Sequence, residues 1–266
     1  MSYYIDVHTH LSHSLFAKDW RRVVELSQAS GLGAVVSNGL GKVSNRFVLE
    51  MASEFDIVKA AIGIYPVEAV QNILPDDFPL SYEKFSVDEE IDFIKSLAQQ
   101  KKIHAVGECG LDGHWLDEST YAEQERVFTL LARIARDNDL PLIVHSRKCE
   151  SRVVEILAAE GVEKVNMHCW GGKSALAIDS ASRYGWSFSI PPVALRHSGF
   201  QKLIRLLPLK SILTETDAPY LAHERNTRNE PKNVLHTVKL IAQIKDLSLE
   251  RVREAIWNNY CKLFSC

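Results

Sequence analysis

Short apolar runs alternate with longer amphipathic ones along the chain. The apolar runs predict strands at 4–10, 34–37, 58–64, 103–107, 142–145, 164–168, 186–190 and 212–216. Between them the pattern changes to helical, at 20–30, 45–55, 87–99, 121–137, 151–159, 173–184 and 199–206, with two more helices after the last strand at 233–244 and 249–259. Within 121–137, Val127, Leu130, Leu131 and Ile134 form one apolar stripe. Gly31 and Gly161 stand just past helices, where a left-handed cap is usual. Eight strands alternating with helices imply a parallel sheet with right-handed crossovers. In 266 residues they fit a closed (β/α)8 TIM barrel of the α/β class, a single domain over 1–266, better than an open doubly wound sheet. The dinucleotide fingerprint and the phosphate loop are both absent. The segments 76–79 and 223–231 read as surface loops, and the second, long and polar after the last strand, is placed to overhang a site.

Composition narrows the class. A hydrophobic fraction of 46% is enough for a large core. The net charge of -3 gives no global basic field, so an enzyme acting on nucleic acid would rely on local positive charge or on a metal. The five cysteines, Cys109, Cys149, Cys169, Cys261 and Cys266, include no CxxC pair and do not suggest a disulfide framework. The N-terminus has no signal-peptide pattern, and no run of about 18 apolar residues spans a membrane. The expected setting is reduced and cytoplasmic.

In such a barrel the active site lies at the carboxyl ends of the strands. Along the first strand Asp6, His8 and His10 share one face, while Ile5, Val7 and Thr9 share the other. The fourth strand runs into Glu108 and Asp112, the fifth ends at His145, the sixth at His168 and the eighth at Glu215-Thr216-Asp217. The resulting inventory is His8, His10, Glu108, His145, His168 and Asp217. Four imidazoles and two carboxylates suit two divalent cations, with Glu108 as the bridging group; such pairs sit about 3.5–4 Å apart. The imidazoles favour Zn, Mn or Fe, and the carboxylates tolerate Mg.

These residues fall in motifs that resemble the TatD-like deoxyribonucleases of the metal-dependent amidohydrolase superfamily. The motifs are Asp6-Val7-His8-Thr9-His10-Leu11, Gly63-Ile64-Tyr65-Pro66, Val106-Gly107-Glu108-Cys109-Gly110-Leu111-Asp112, Leu140-Pro141-Leu142-Ile143-Val144-His145-Ser146-Arg147, His168-Cys169-Trp170-Gly171-Gly172, Glu215-Thr216-Asp217-Ala218-Pro219-Tyr220-Leu221, Asn229-Glu230-Pro231 and Asn259-Tyr260-Cys261-Lys262-Leu263-Phe264. The resemblance implies hydrolysis of DNA phosphodiesters by a metal-activated water. One ion would sit at His8, His10 and Asp217 and a second at His145 and His168, with Glu108 between them. Asp217 would also orient or deprotonate the water, and Tyr65, Arg147 and Asn229 would contact substrate. Three departures mark a divergent member: Tyr65 where the family usually has His, Lys148 where it has Asp, and Glu224-Arg225-Asn226-Thr227-Arg228 in place of the Arg-Gly-Lys pattern of its loop. The expected partner is DNA with single-stranded or frayed ends, together with other subunits of a multi-protein system. A small-molecule amidohydrolase or phosphoesterase, or a non-catalytic accessory subunit, are the alternatives.

Other residues carry two readings. Asp112 is either a turn former or a hydrogen-bond partner of a ligand His, and Asp6 has the same ambiguity. Trp170, Trp186 and Phe188 read as core, with Trp170 the best candidate for base stacking. Lys148 and Arg152 are further candidates for phosphate contact. Cys109 and Cys169 should point away from the site. His13, His114, His197 and His223 read as solvated or loop residues, and the acidic 88–92 stretch as the solvated first turn of a helix.

Overall fold

The structure is a computed structural model and describes residues 2–265. The strands are β1 (Tyr4–Thr9), β2 (Leu32–Asn38), β3 (Val58–Ile62), β4 (Ala105–Asp112), β5 (Leu142–Arg147), β6 (Val165–Met167), β7 (Ser187–Ile190) and β8 (Ile212–Thr214). They form one sheet in the order β1 to β8, each parallel to the next. The ring closes between β8 and β1: the Asp217 amide donates to the His8 carbonyl at 2.8 Å, the His10 amide to the Ala218 carbonyl at 2.8 Å and the Thr214 hydroxyl to the Ile5 carbonyl at 2.7 Å. Asp6 reinforces this seam by accepting from the Thr216 amide at 2.9 Å and its hydroxyl at 2.5 Å. Asp6 thus joins two strands, and its only bond to His8 is through the His8 amide, at 3.1 Å.

The surrounding helices are α1 (Trp20–Ala29), α2 (Lys42–Glu54), the short α3 (Pro66–Ala69), α4 (Val87–Gln99), α5 (Tyr121–Asp137), α6 (Glu150–Glu160), α7 (Ser174–Arg183), α8 (Ser198–Leu206), α9 (Val234–Lys245) and α10 (Leu249–Phe264). Their caps follow from sequence: Ser86 accepts from the Glu89 amide, Ser248 accepts from the Arg251 amide, and Gly161 closes α6 at φ 65°. In α5, Val127, Leu131 and Ile134 of the stripe are buried together with Phe128, while Leu130 is half-buried against the core. Glu90 departs from the solvated-turn reading. It is buried, accepts from Asn45 Nδ2 at 2.7 Å and pairs with Arg46, so it ties α4 to α2.

The strands are shielded on both sides, by the barrel interior and by the helices, and all eight residues of β4 are buried. β4 continues to Asp112, five residues past the limit read from the apolar pattern. Gly107 (φ 143°) and Gly110 (φ 151°) take backbone conformations that L side chains resist. Between Val106 and Cys109 the register with β5 also slips. The bulge re-aims the intervening Glu108 into the barrel mouth, while Cys109 stays in the core.

Candidate metal centre

Glu108 lies at the centre of the barrel mouth, with an imidazole pair on each carboxylate oxygen. Its Oε2 is 3.4 Å from His8 Nε2 and 3.3 Å from His10 Nε2, and its Oε1 is 3.0 Å from His145 Nδ1 and 3.2 Å from His168 Nε2. Asp217 closes the first pair, its Oδ1 lying 3.2 Å from His10 Nε2 and 3.6 Å from His8 Nε2. Asp217 reaches this position from the left-handed region, at φ 52°, three residues beyond the end of β8. A non-glycine residue held there costs on the order of 1–2 kcal/mol, which the closing bonds at the seam offset. All six residues of the sequence inventory therefore meet in one cluster.

The outer contacts set the orientation of the rings. His145 Nε2 lies 3.0 Å from Asp112 Oδ2, while Asp112 Oδ1 accepts the His114 amide at 2.7 Å and the Trp115 amide at 2.8 Å. Asp112 combines both readings, since one oxygen shapes the turn and the other holds a site histidine. His10 Nδ1 is 3.1 Å from the Asn38 carbonyl. His8 stacks on His168 with ring centroids 3.9 Å apart. Glu215 is fully buried beneath this pair, accepting from Ser189 Oγ at 2.5 Å and from the Cys169 amide at 2.9 Å, with His168 Nδ1 3.6 Å away. Sequence reasoning left Glu215 out of the inventory. The signal available was a carboxylate two residues from Asp217 on a strand buried on both sides.

Electrostatics sort the groups. Burial by itself would raise the Glu108 carboxyl, but His168 and His8 hold it well below the usual range. Asp217 is likewise lowered against its burial, through its hydrogen bond to His10. Burial, with the charge of His168, lowers His8 to about 4. The Tyr65 phenol is pushed far up by burial and then by Glu108, so it is a neutral donor. His10, His145 and His168 shift the other way from His8, raised against their burial by the facing carboxylates. Two ionised carboxylates among four imidazoles form a cation-binding donor set.

The donor set fits metal ions. His8, His10 and Glu108 offer one convergent group and Glu108, His145 and His168 another, with ligand atoms within 4.8 Å of one another in each. A third convergence, of His8, His168 and Glu215, lies beneath them. No lysine or arginine pairs with any of these carboxylates among the described residues. The buried Nδ1 atoms of His8 and His168 also lack a hydrogen-bond partner there.

The expected substrate contacts divide. Tyr65 packs edge-on to His145 at 4.9 Å, with its hydroxyl 3.4 Å from Asp112 Oδ2, so it borders the cluster. Arg147 is exposed at the rim, with its guanidinium 5.8 Å from the centre of the Trp115 ring. Asn229 is a correction. Its side chain is fully buried, donates to the Thr216 carbonyl at 2.8 Å and accepts from the Glu230 amide and Asn233 Nδ2, so it braces the loop after β8 instead of lining the mouth. That loop is also tied to the β1 side: Arg228 forms a two-pronged pair with Asp19 at 2.9 and 2.7 Å. Arg152 is similarly taken by Glu125 and Glu155. Trp170 is core, buried edge-on against Phe188. Four cysteines are unpaired and Cys266 lies outside the described residues. No described helix is long and apolar enough to cross a membrane.

Comparisons with known proteins agree with this geometry. The family model described as TatD related DNase matches residues 5–265. An uncharacterized metal-dependent hydrolase of Bacillus subtilis is 31% identical over 264 residues, covering 97% of this chain and 98% of the relative. The human protein named deoxyribonuclease TATDN3 is 32% identical over 266 residues, covering 98% and 94%. The crystal structure of the TatD homologue YjjV of Escherichia coli superimposes with a TM-score of 0.85 over 99% of this chain and 98% of that one, at 22% identity, which speaks to the fold. With a match over nearly its whole length and relatives above 30% identity, the chain belongs to the TatD-related DNase family of metal-dependent hydrolases.

Proposed function

We propose that this protein hydrolyses phosphodiester bonds of DNA, at single-stranded or frayed ends, using two divalent ions (Zn, Mn or Mg). The observation that carries the reading is the position of Glu108, one carboxylate oxygen facing His8 and His10 and the other facing His145 and His168. His8, His10 and Asp217 would hold one ion, His145 and His168 the other, with Glu108 shared. Bound there, divalent ions supply Lewis-acid charge for a phosphoryl oxygen and a water nucleophile at neutral pH. DNA as the substrate is supported by the name of the human relative, deoxyribonuclease TATDN3.

The chain's own residues do the rest. Asp217, the more open of the two carboxylates, accepts the proton of the attacking water. Asp112 fixes His145 with Nδ1 toward Glu108. Arg147 meets the charge that develops on the transferring phosphoryl, and the neutral Tyr65 hydroxyl donates to it. A reduced cytoplasmic setting is supported by the unpaired described cysteines.

After incubation with Zn or Mn, elemental analysis should find about two ions per chain. Glu108→Ala should lose metal and cut cleavage of a single-stranded oligonucleotide by more than about a hundredfold. Cys109→Ala, on the core face of the same strand, should not. A stoichiometry near zero with activity indifferent to chelator, or equal losses in the two variants, would sink the reading.

A further inference from the structure

Four large aromatic side chains are markedly exposed among the described residues: Tyr3, Trp115, Tyr184 and Tyr220. Two of them belong to the amino-terminal end of the barrel and pack on other rings. Tyr3 lies edge-on to Trp257 at 5.2 Å, and Tyr184 stacks on Trp186 at 4.5 Å. The other two follow strand carboxyl ends, on the face that carries the metal cluster. Trp115 comes after β4, with 38% of its surface exposed, and Tyr220 after β8, with 52%.

The neighbours of the rim pair are a guanidinium and two imidazoles. Trp115 has the Arg147 guanidinium 5.8 Å from its ring centre and His114 edge-on at 4.9 Å. Tyr220 donates to or accepts from His13 Nε2 at 3.0 Å, with the two rings edge-on at 5.5 Å. Each aromatic residue is also held by a carboxylate residue of the cluster. The Trp115 amide donates to Asp112 Oδ1, whose partner oxygen meets His145, and the Tyr220 amide donates at 2.8 Å to the carbonyl of Asp217. In a ring of eight strands taken in order, the β4–β5 seam lies across the barrel from the β8–β1 seam. The two aromatic groups therefore follow strands on opposite sides of the ring whose carboxyl ends carry the metal-ligand cluster.

A flat ring with a guanidinium beside it on one side of a cation-binding centre, and one with an imidazole beside it on the other, match the chemistry of a single strand: bases to stack, phosphates between them. We infer that Trp115 with Arg147 and Tyr220 with His13 form two base-stacking subsites, one on each side of the scissile phosphate. The inference rests on the nuclease reading above and deepens it. It makes the substrate a strand of at least two nucleotides with unpaired bases, because a base inside a duplex offers no free face to a rim aromatic. Asp117 and Glu118 follow closely after Trp115 in the chain, so Arg147 supplies the positive charge on that side.

The test uses the full-length, metal-loaded protein and a short oligothymidylate. Trp115→Ala and Tyr220→Ala should each raise KM by about five- to a hundredfold, the range for losing one stacked base. Trp115→Phe and Tyr220→Phe should recover most of this, while Tyr184→Ala, at the other end of the barrel, should match wild type. A second substrate carries an abasic residue next to the scissile link, placed on one side and then on the other. In wild type each abasic residue should cost a similar factor, and the matching alanine variant should no longer feel it. Wild type cleaving the oligonucleotide with unchanged KM in both alanine variants overturns the subsites alone. So do losses in kcat that Phe does not rescue and that abasic residues do not mirror. Wild type that hydrolyses methyl p-nitrophenyl phosphate but no oligonucleotide overturns the nuclease reading and the subsites with it.

Discussion

At the scale of single residues, carboxylates in this protein differ by what faces them. Glu108 and Asp217 face imidazoles and are kept ionised. Asp6 and Glu215 are fully buried and shift the other way: burial raises both, despite the hydroxyl of Thr216 on Asp6 and the nearby His168 and Ser189 on Glu215. Glu68 on α3 is a third case, away from the cluster. Its Oε2 accepts the Glu83 amide at 3.0 Å, yet burial, aided by the charge of Glu83, raises it to about 7 from 4.5. The folded state therefore holds this proton more tightly than the unfolded chain. The stabilisation is fully present below about pH 4.5 and is lost as the pH rises through about 7. Glu68→Gln should leave stability at pH 5 nearly unchanged and raise it at pH 8 by about 1–2 kcal/mol, a figure discounted for partial exposure. Differential scanning calorimetry at the two pH values checks this, and the same Tm shift at both would refute it.

At the scale of elements, β4 shows how backbone geometry serves the site. A Cβ on Gly110 would lie 1.9 Å from the His145 carbonyl oxygen, so β4 approaches β5 more closely than any side chain allows. Gly161, by contrast, has a φ of 65° but no atom within 4 Å of such a Cβ. Gly161→Ala should cost only the left-handed strain, about 1–2 kcal/mol. Gly110→Ala adds overlap with backbone at φ 151° and should cost more than about 3 kcal/mol, with loss of bound metal as β4 and β5 separate. Urea denaturation and metal analysis of the two variants test the contrast. Equal, mild effects would mean that β5 yields easily and that the close approach does not hold Glu108 in place. The loop after β8 works differently, through side chains: Asn229 and the Arg228–Asp19 pair hold it down.

At the scale of the whole molecule, charge limits how a polyanion binds. The net charge is -3, and two of the rim-side arginines, Arg152 and Arg228, are already paired with carboxylates. Arg147, Lys148 and Arg225 are exposed and form no ion pair among the described residues. Three phosphate contacts on a single strand correspond to a slope of log affinity against log salt of about -2. Replacing Arg147 and Lys148 together by alanine should flatten that slope to about -0.7 and weaken oligonucleotide binding. Fluorescence anisotropy across a salt series measures it. A wild-type slope retained in the double variant would assign the charge term to other groups.

The eight strand–helix units were legible in the order of residues because a strand shielded on both sides is a short apolar run and an amphipathic helix keeps its own period. The limits of α4 and α5 match the reading from periodicity residue for residue. The six cluster residues were legible for a related reason: polar groups ending apolar strands stand out, and a parallel barrel gathers those ends on one rim. Partnership was not legible. Asp112 meets His145, Glu215 lies under His168, Arg228 finds Asp19 and Asn229 caps Thr216. The bulge that turns Glu108 inward is a property of β4 against β5, and the positive φ of Asp217 depends on closure of β8 onto β1. Local pattern encodes which way a side chain faces, since that follows from the period of its own element. Which group it meets there is set by the closure of the ring, and only the tertiary structure decides that.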